Sequence, residues 1–533
     1  MAETALATAL DIAELPFSDL LLLISPDLPD DGRRGRLLTT VATSLGRGGS
    51  GLLAITNVPL AAALRRRLLP LARRLAVMDH PSRSQLLKKH GLGSDVPLKK
   101  LDRRVSSFAR LLRHSGEFQL LESMKEIESI KNDPDYLEKA LDGVVIGEPM
   151  GDGTEKLGEL VEELGLCMME LGILVARACD TVTGGNQLEK SITDFGTAKA
   201  RLIHYHSELD NIIIKNSSSK RKVPINKIAK ATAYESCSQR SASSQGSCIR
   251  SEGAMTDTLK DSNDKSIHGQ GSVVSLTNLW QEWHYDYGVL TVLTSPLFLC
   301  STMGEDCSIS KECSPPDEHT YLQLFNRRKV FSVRCSPESF IVQVGETADI
   351  LSGGKLRSTL HAVSRPYGST NISRETFVVF LQPSWDKKLP YSGHCFAGDD
   401  EPSEGDDSTF SDGSDMFSSE HTLMQDILKK IPPLSSRVKE GMTFAEFSRQ
   451  TTKQYYGGGV ANRMRCRPDT HYLLRAPVLI CNRLQTSAVG TSAACYMCSM
   501  LIISSHGERL WTFYYLALPQ APDKSISRIT PVV

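Results

Sequence analysis

The sequence predicts an α+β protein in which a β-rich core is flanked by helices. Residues 157–178 place apolar side chains every three or four positions, which is the period of an amphipathic helix. From residue 201 to about residue 384, short apolar segments alternate with turn residues, as is typical of strands. Residues 423–456 return to a helical pattern.

The composition excludes several classes of protein. The 533 residues include 61 Lys and Arg against 62 Asp and Glu, a balance that disfavours nucleic-acid binding by bulk charge. Thirteen cysteines with a single Cys-x-x-Cys pair, Cys495 and Cys498, indicate free thiols in a reducing compartment. The N-terminus lacks a basic n-region and the uncharged stretch 484–505 is rich in Ser, Thr and Gly. We therefore expect no secretory signal and no membrane span, and a cytoplasmic location with the nucleus as the alternative.

The N-terminal part alternates between strand and helix signals. Short apolar runs at Leu20–Ile24 and Gly51–Val58 are bounded by turn residues and predict strands. Arg36–Leu45 and Leu60–Met78 predict helices, the second of them interrupted at Pro70. The second helix carries a basic cluster, which we interpret as a solvated face: Arg65, Arg66, Arg67, Arg73 and Arg74.

Two segments hold too little apolar material to offset their ordering entropy. Residues 215–275 predict a disordered insertion, and residues 398–420 predict an acidic, Ser-rich linker. Thr443 and Glu446 have the spacing of a helix capping box. Residues 463–533 show no sustained period and form an atypical tail.

The segment WHYDYGVLTVL, residues 283–293, carries the first candidate metal ligands. Side chains on a strand alternate between its two faces, so His284 and Asp286 share one face. A neutral imidazole suits iron, zinc or copper, and a carboxylate shifts the preference toward iron or manganese. The alternative is a surface pair on a strand.

A third ligand requires chain reversals downstream. Residues 340–345 predict a strand, residues 349–351 a second short strand, residues 353–354 a turn, and residues 358–363 a third strand. Three antiparallel segments bring His361, in the last of them, back toward the first pair. An ordinary strand histidine is the alternative.

Two histidines and one carboxylate on one side of a metal leave coordination positions open. This is the facial triad of the non-haem Fe(II) oxygenases. A closed set of four ligands would instead indicate structural zinc.

The segment ISRETFVVFLQP places Arg374 and Thr376 two residues apart on a further strand, so they share a face. A guanidinium binds a carboxylate through two parallel hydrogen bonds, and the hydroxyl adds a third donor. The pair is suited to the distal carboxylate of a keto-diacid. An exposed pair on an edge strand is the alternative.

Together these motifs resemble the plant 2-oxoglutarate- and Fe(II)-dependent oxygenases of the isopenicillin-N-synthase-like branch. The resemblance covers about residues 12–460 with the insertions excluded, and the His-x-Asp, LRSTLHAVSRP and Arg-x-Thr motifs follow the family order. A loop at residues 301–320 lengthens the gap between the two histidines, and Arg374 lies further along the chain than usual. Thr376 replaces the usual Ser and retains the hydroxyl.

The segment RLIHYHS places Tyr205 where the family has a tyrosine that contacts the cosubstrate. His204 and His206 flank it and share the opposite face. We interpret these two histidines as strand residues rather than as a second metal site.

The resemblance implies a double-stranded β-helix, or jelly roll, with an N-terminal helical domain and flanking helices. The domains that it implies are a mostly helical part at 12–200, a jelly roll at 201–390, the linker at 398–420, helices at 421–460 and the tail at 463–533.

The implied activity is oxidation of a small organic substrate, usually hydroxylation, with release of succinate and CO2. The implied cofactors are Fe(II), 2-oxoglutarate and O2, without nucleic-acid or membrane partners. The implied Fe(II) ligands are His284, Asp286 and His361, and the implied 2-oxoglutarate contacts are Arg374, Thr376 and Tyr205. Two alternatives stay open: an inactive member that acts as an interaction protein, and an iron oxidase that does not use 2-oxoglutarate.

Overall fold

A computed structural model describes most of the chain from residue 6 to residue 457 and three strands beyond it. The described residues are 6–24, 32–94, 103–114, 153–218, 272–273, 278–301, 310–327, 329–367, 371–390, 425, 431–457, 479–482, 496–503 and 509–516. The chain divides into two compact units, Met1–Cys466 and Arg467–Val533. Within the described residues no helix is long and apolar enough to cross a membrane.

The first half of the first unit supplies most of the helices. Its elements are β1 (Leu6–Asp11), β2 (Glu14–Pro16), α1 (Phe17–Ile24), α2 (Arg33–Leu45), β3 (Leu52–Thr56), α3 (Ala61–Val77), α4 (His80–Lys89), β4 (Val105–Leu112), α5 (Leu157–Thr183), α6 (Gln187–Thr193), β5 (Thr197–Tyr205) and α7 (Glu208–Ser218). The predicted helix at 157–178 is confirmed as part of α5.

The second half is rich in strands, as predicted. Its elements are β6 (Ser272–Val273), β7 (Leu279–His284), β8 (Leu290–Thr294), β9 (Leu297–Ser301), β10 (Ser310–Cys313), β11 (Leu322–Asn326), β12 (Lys329–Arg334), β13 (Phe340–Val344), α8 (Glu346–Leu351), β14 (Leu360–Ser364), β15 (Ile372–Gln382), α9 (Leu434–Arg437) and α10 (Phe444–Gly457).

These strands form two sheets. The smaller sheet has the order β6-β1-β12-β11-β14-β7. The larger sheet has the order β10-β9-β15-β8-β13-β3-β2, and β5 joins it by pairing with both β15 and β4. The α+β class is therefore confirmed, and strands from the N-terminal part of the chain complete both sheets.

The larger sheet is covered on both faces. Successive side chains of β15 point to opposite faces of the sheet. On one face Phe377, Val379 and Leu381 belong to an apolar cluster with α1, α2, α3 and α5. On the other face Val378 belongs to a cluster that includes Leu324 of the smaller sheet. The layers are thus helices, larger sheet and smaller sheet, and strand alternation decides which layer each side chain enters.

Two predicted strands are wrong. Leu20–Ile24 lies in α1, where Phe17, Leu20 and Leu23 are buried at a spacing of three residues. Residues 349–351 lie in α8. A short apolar run does not distinguish a strand from a buried helical turn, and in both places packing against the larger structure selects the helix.

The basic cluster of α3 is only partly a solvated face. Arg65 is buried, and its Nε and Nη2 donate to the carbonyl oxygens of Ser295 at 2.7 Å and Pro296 at 2.6 Å. Arg73 is also buried and pairs with Asp210. The interpretation was wrong for these two residues, because distant carbonyl and carboxylate acceptors satisfy them. The helix continues through Pro70.

The capping box at the start of α10 is confirmed. Thr443 N donates to Glu446 Oε2 at 2.9 Å, and Glu446 N donates to Thr443 Oγ1 at 3.3 Å. Most of the predicted insertion at 215–275 and the whole linker at 398–420 lie outside the described residues.

The second unit contains an antiparallel sheet in the order β16-β17-β18, formed by Leu479–Asn482, Tyr496–Ile503 and Arg509–Leu516. The sequence predicted no regular element here, since mostly apolar runs such as YMCSMLII show no alternation.

Candidate metal centre

The smaller sheet brings the two predicted histidine ligands together. His284 ends β7 and His361 lies near the start of β14, and the two residues are direct partners in the antiparallel pairing of these strands. Their ring centroids are 4.2 Å apart. The structure thus brings the two histidines together, but not by the predicted route of three antiparallel strands, because residues 349–351 are helical and β13 and β14 lie in different sheets.

Asp286 completes the group from a turn. It lies two residues beyond the end of β7, before β8 begins in the larger sheet. Its Oδ1 is 3.8 Å from His284 Nε2 and its Oδ2 is 4.0 Å from His361 Nε2. One ligand atom from each of the three residues lies within 4.8 Å of the others. We call His284, Asp286 and His361 the metal centre.

A backbone carbonyl selects the tautomer of His284. His284 Nδ1 donates to the Glu282 oxygen at 2.7 Å. A carbonyl oxygen only accepts, so this Nδ1 carries the proton and Nε2 keeps its lone pair, which is the usual outer support of a metal-bound histidine. His361 Nδ1 lies 3.0 Å from the Thr359 oxygen, an acceptor, and 2.9 Å from Gln343 Nε2, a donor.

Burial keeps the histidine of β7 neutral. Loss of hydration and the neighbouring His361 together lower the pKa of His284 to about 4, although Asp286 opposes the shift. A neutral imidazole is the form that binds a metal.

Two side chains of the larger sheet orient the carboxylate. Thr291 Oγ1 donates to Asp286 Oδ2 at 2.7 Å, and Gln343 Nε2 donates to the same oxygen at 3.2 Å while lying 2.9 Å from His361 Nδ1. Gln343 is fully buried. The metal centre is therefore supported from both sheets.

The turn that carries Asp286 is held against the end of β13. The Asp286 carbonyl oxygen accepts from Glu346 N at 2.8 Å. A Cβ atom at Gly345 would lie 2.3 Å from the Gly288 oxygen, so only glycine fits at this position.

The predicted carboxylate-binding residues lie on the larger sheet and face the smaller one. Arg374 of β15 pairs directly with Tyr205 of β5, and its guanidinium carbon is 5.1 Å from the centroid of the tyrosine ring. Arg374 Nε donates to the Thr320 oxygen at 3.0 Å. Within the part of the chain that the structure describes, its two Nη groups have no protein acceptor. They are free to bind a carboxylate.

Thr376 is the third of these residues. It is 1% exposed, and its Oγ1 lies 3.3 Å from Thr294 Oγ1. We call Arg374, Thr376 and Tyr205 the anchor residues. Burial lowers the pKa of Arg374 and raises that of Tyr205, yet each remains in its ordinary charge state at neutral pH.

Sequence reasoning missed the residues that support these groups. Gln343 is the single polar residue of β13, and Thr291 and Thr294 are the two polar residues of β8. That pattern was the available signal, because a polar side chain in a buried strand requires a partner. The sequence does not show which partner it has, since that depends on the sheet register.

The donor set fits Fe(II). Two imidazoles and one carboxylate form the two-histidine, one-carboxylate set that leaves coordination positions open. The Nη groups of Arg374 fit a second carboxylate on the same side of the larger sheet.

Comparisons with known proteins agree with this geometry. Residues 277–383 match the family model of the 2OG-Fe(II) oxygenase superfamily. The predicted family resemblance is confirmed. The matched range contains the metal centre and two anchor residues. The prediction of an oxidoreductase and the predicted cofactors Fe(II), 2-oxoglutarate and O2 agree with an oxygenase of this kind.

The sequence match to a curated relative is local. Leucoanthocyanidin dioxygenase of Vitis vinifera is 36% identical over 74 residues, which are 14% of this chain and 19% of that enzyme. The match thus spans about a fifth of its length.

Solved structures resemble the chain more broadly but at lower similarity. A dioxygenase for auxin oxidation from rice is 14% identical to this chain. The match covers 73% of this chain and 88% of the rice chain, with a TM-score of 0.37. JOX2 in complex with 2OG, Fe and JA is 14% identical, with coverage of 74% and 80% and a TM-score of 0.38.

Proposed function

We propose that this protein is a non-haem Fe(II)- and 2-oxoglutarate-dependent dioxygenase that hydroxylates a small organic substrate and releases succinate and CO2. The observation that carries the proposal is the convergence of His284, Asp286 and His361, with ligand atoms within 4.8 Å of one another. The proposal includes a jelly-roll core formed by the two facing sheets, with the metal centre between them.

The chain's own residues prepare the site. His284 offers Nε2 because the carbonyl of Glu282 holds its Nδ1 proton, and His361 lies directly opposite it on the neighbouring strand. Asp286 adds a negative charge, oriented by Thr291 and Gln343. When bound, Fe(II), 2-oxoglutarate and O2 would supply the oxidative decarboxylation and the oxidation of the substrate.

The anchor residues favour 2-oxoglutarate over an iron oxidase that lacks it. Arg374 is 3% exposed and Thr376 is 1% exposed, so both are already desolvated. A buried guanidinium with free Nη groups is costly unless an anion binds it. Its terminal nitrogens and the Thr376 hydroxyl match the C5 carboxylate of 2-oxoglutarate.

The test is succinate formation from 2-oxoglutarate with added Fe(II). Uncoupled turnover needs no prime substrate, so the reaction is measurable before the substrate is identified. We expect the wild-type protein to form succinate and His284→Ala to form none. His80→Ala is the matched control, because His80 is exposed at the start of α4.

Iron content distinguishes the alternatives. Iron retained after anaerobic loading without succinate formation would favour the oxidase. Neither iron nor succinate would favour the interaction protein. Release of succinate by His284→Ala at the wild-type rate would overturn the assignment of the metal centre.

A further inference from the structure

A second group of ionisable side chains is buried on the opposite, helix-facing side of the larger sheet. We call it the charge network. Its members are at most 4% exposed: Arg73, His204, His206, Asp210 and Glu375. The proposed chemistry uses none of them.

The network connects two strands to two helices. His204 Nδ1 of β5 lies 2.9 Å from Glu375 Oε2 of β15. His204 Nε2 lies 3.3 Å from Asp210 Oδ2 of α7, and Asp210 Oδ1 accepts from Arg73 Nε of α3 at 2.8 Å. Two carboxylates thus alternate with an imidazole and a guanidinium.

His204, His206 and Asp210 also have ligand atoms within 4.8 Å of one another, as the metal centre does. Their contacts favour a proton over a metal. Asp210 Oδ2 already accepts from Ser207 N at 2.9 Å and Ser207 Oγ at 2.7 Å, in a helix capping box. This oxygen therefore already has two donors and the other oxygen has Arg73, so a bound ion would have to compete with them.

The charges agree with a protonated His204. Burial by itself lowers the pKa of His204, but Glu375 and Asp210 outweigh burial and raise it to about 9. Burial and the charge on His204 lower the pKa of His206 well below its ordinary value, so that ring is neutral. The carboxylates of Glu375 and Asp210 are then faced by Arg73, the imidazolium and, beyond Ser106, the buried Arg103. A divalent ion in place of the proton would add further positive charge to this buried group.

The network lies directly behind the anchor residues. Arg374 pairs with Tyr205 in the β5–β15 ladder, and Glu375 pairs with His204 in the next position. Because neighbouring residues of a strand point to opposite faces, the first pair faces the smaller sheet and the second faces the helices.

The ladder between β5 and β15 ends at these residues. The pairing of β5 with β15 runs from Gln382 and Thr197 to Arg374 and Tyr205, where β5 stops. The terminal residue pairs of a β-ladder open most readily, so they need additional contacts to hold a functional geometry.

We propose that Glu375 and His204 are positioning residues that hold the end of this ladder closed and so set Arg374 and Tyr205 for 2-oxoglutarate. The inference rests on the proposed function. Charged and titratable groups face His204 from every element packed against it. They are Glu375 from β15, Asp210 from α7, Arg73 from α3, His206 from the residue after β5, and Arg103, whose Nε donates to the Ser106 oxygen that contacts His206.

The test compares Glu375→Gln with Asp180→Asn in the iron-loaded full-length protein. Asp180 is a matched control: it is 6% exposed, accepts from the backbone of Leu188 and Glu189, and lies in α5 away from the anchor residues. We expect Glu375→Gln to raise the KM for 2-oxoglutarate about tenfold, as for the loss of one charge-assisted hydrogen bond, with kcat and iron content nearly unchanged. Asp180→Asn should lower the Tm and leave KM as it is.

A pH profile keeps the inference testable if the variant folds poorly. Wild-type KM for 2-oxoglutarate should rise as pH increases through about 9, because His204 loses its proton. The double variant His204→Asn with Glu375→Gln, which pairs two neutral amides, should lack this rise and recover part of the affinity.

Several results would overturn the inference. The inference is wrong if Glu375→Gln leaves the KM for 2-oxoglutarate unchanged, or if the wild-type KM does not change between neutral pH and pH 10. Either result would leave the proposed function intact. A stoichiometric metal retained by His284→Ala would show that the network binds a metal instead of a proton. A wild-type protein without affinity for 2-oxoglutarate would overturn the proposed function as well.

Discussion

The larger sheet separates two clusters that each contain two histidines and an aspartate but differ in their neighbours. The aspartate of the metal centre, Asp286, accepts from two neutral donors, Thr291 and Gln343. In the charge network the aspartate is paired with Arg73 and one imidazole lies between two carboxylates. Two clusters of the same residue types thus have different neighbours. Under the proposed function, the neighbouring charges decide which cluster holds a metal, because they decide which nitrogen carries a proton.

The largest expected contrast is in iron content. Asp286→Ala removes one of the three proposed ligands and should abolish stoichiometric iron binding. This loss of affinity exceeds the roughly 10- to 100-fold loss that is typical when a residue supporting a metal ligand is removed. Asp210→Ala should retain iron. Metal analysis after anaerobic loading measures both. Iron retained by the first variant and lost by the second would reverse the two assignments.

Breaking the charge network should instead reduce stability. Arg73→Met leaves the Asp210 carboxylate buried without its guanidinium, and we expect a loss of about 3–5 kcal/mol in the free energy of unfolding. Denaturant unfolding gives this value. Arg66→Met is the control, since Arg66 is exposed and pairs with exposed Glu338. Equal losses of unfolding free energy in the two variants would show that the buried Arg73–Asp210 pair contributes no more to stability than the exposed Arg66–Glu338 pair.

Removing outer support from the metal centre should have an intermediate effect. Gln343→Leu keeps the volume but deletes the amide that contacts Asp286 and His361. Fe(II) affinity should fall by about 10- to 100-fold without loss of the fold. Competition with a chelator measures the affinity, and an unchanged value would show that Thr291 alone orients the carboxylate.

The anchor residues allow a finer test. Thr376→Val removes one hydroxyl donor, and 2-oxoglutarate binding should weaken by about 1.5–3 kcal/mol, the contribution of a hydrogen bond to a charged group. Calorimetric titration of the Fe(II)-loaded protein checks this. Thr294→Val is the comparison, because Thr294 touches Thr376 from β8. If affinity stays the same in Thr376→Val, the residue does not bind the cosubstrate.

The smallest effect is the pH dependence of stability. The pKa of His204 rises on folding to about 9. Its stabilising contribution is therefore complete below the pKa of the unfolded state, about 6.5, and is lost as pH rises through 9. We expect the Tm to fall by a few degrees between pH 7 and pH 10, and by less in His204→Gln. An identical fall in both proteins would assign the titration to other groups.

The sequence by itself determined the candidate ligand types and their order along the chain. The His-x-Asp motif, His361 and the Arg374–Thr376 pair were recognisable because strand alternation and ligand chemistry are local properties. The helix at 157–178 and the capping box at Thr443 were predictable for the same reason: helix periodicity and capping act over a few residues.

Only the tertiary structure decided which distant side chains meet. His284 and His361 became neighbours through the pairing of β7 with β14, and Gln343 reached Asp286 from the other sheet. The same is true of Arg73 and Asp210, whose burial made a solvated basic face the wrong interpretation. A pairing register and a buried charge depend on the whole packed chain, so no local pattern encodes them.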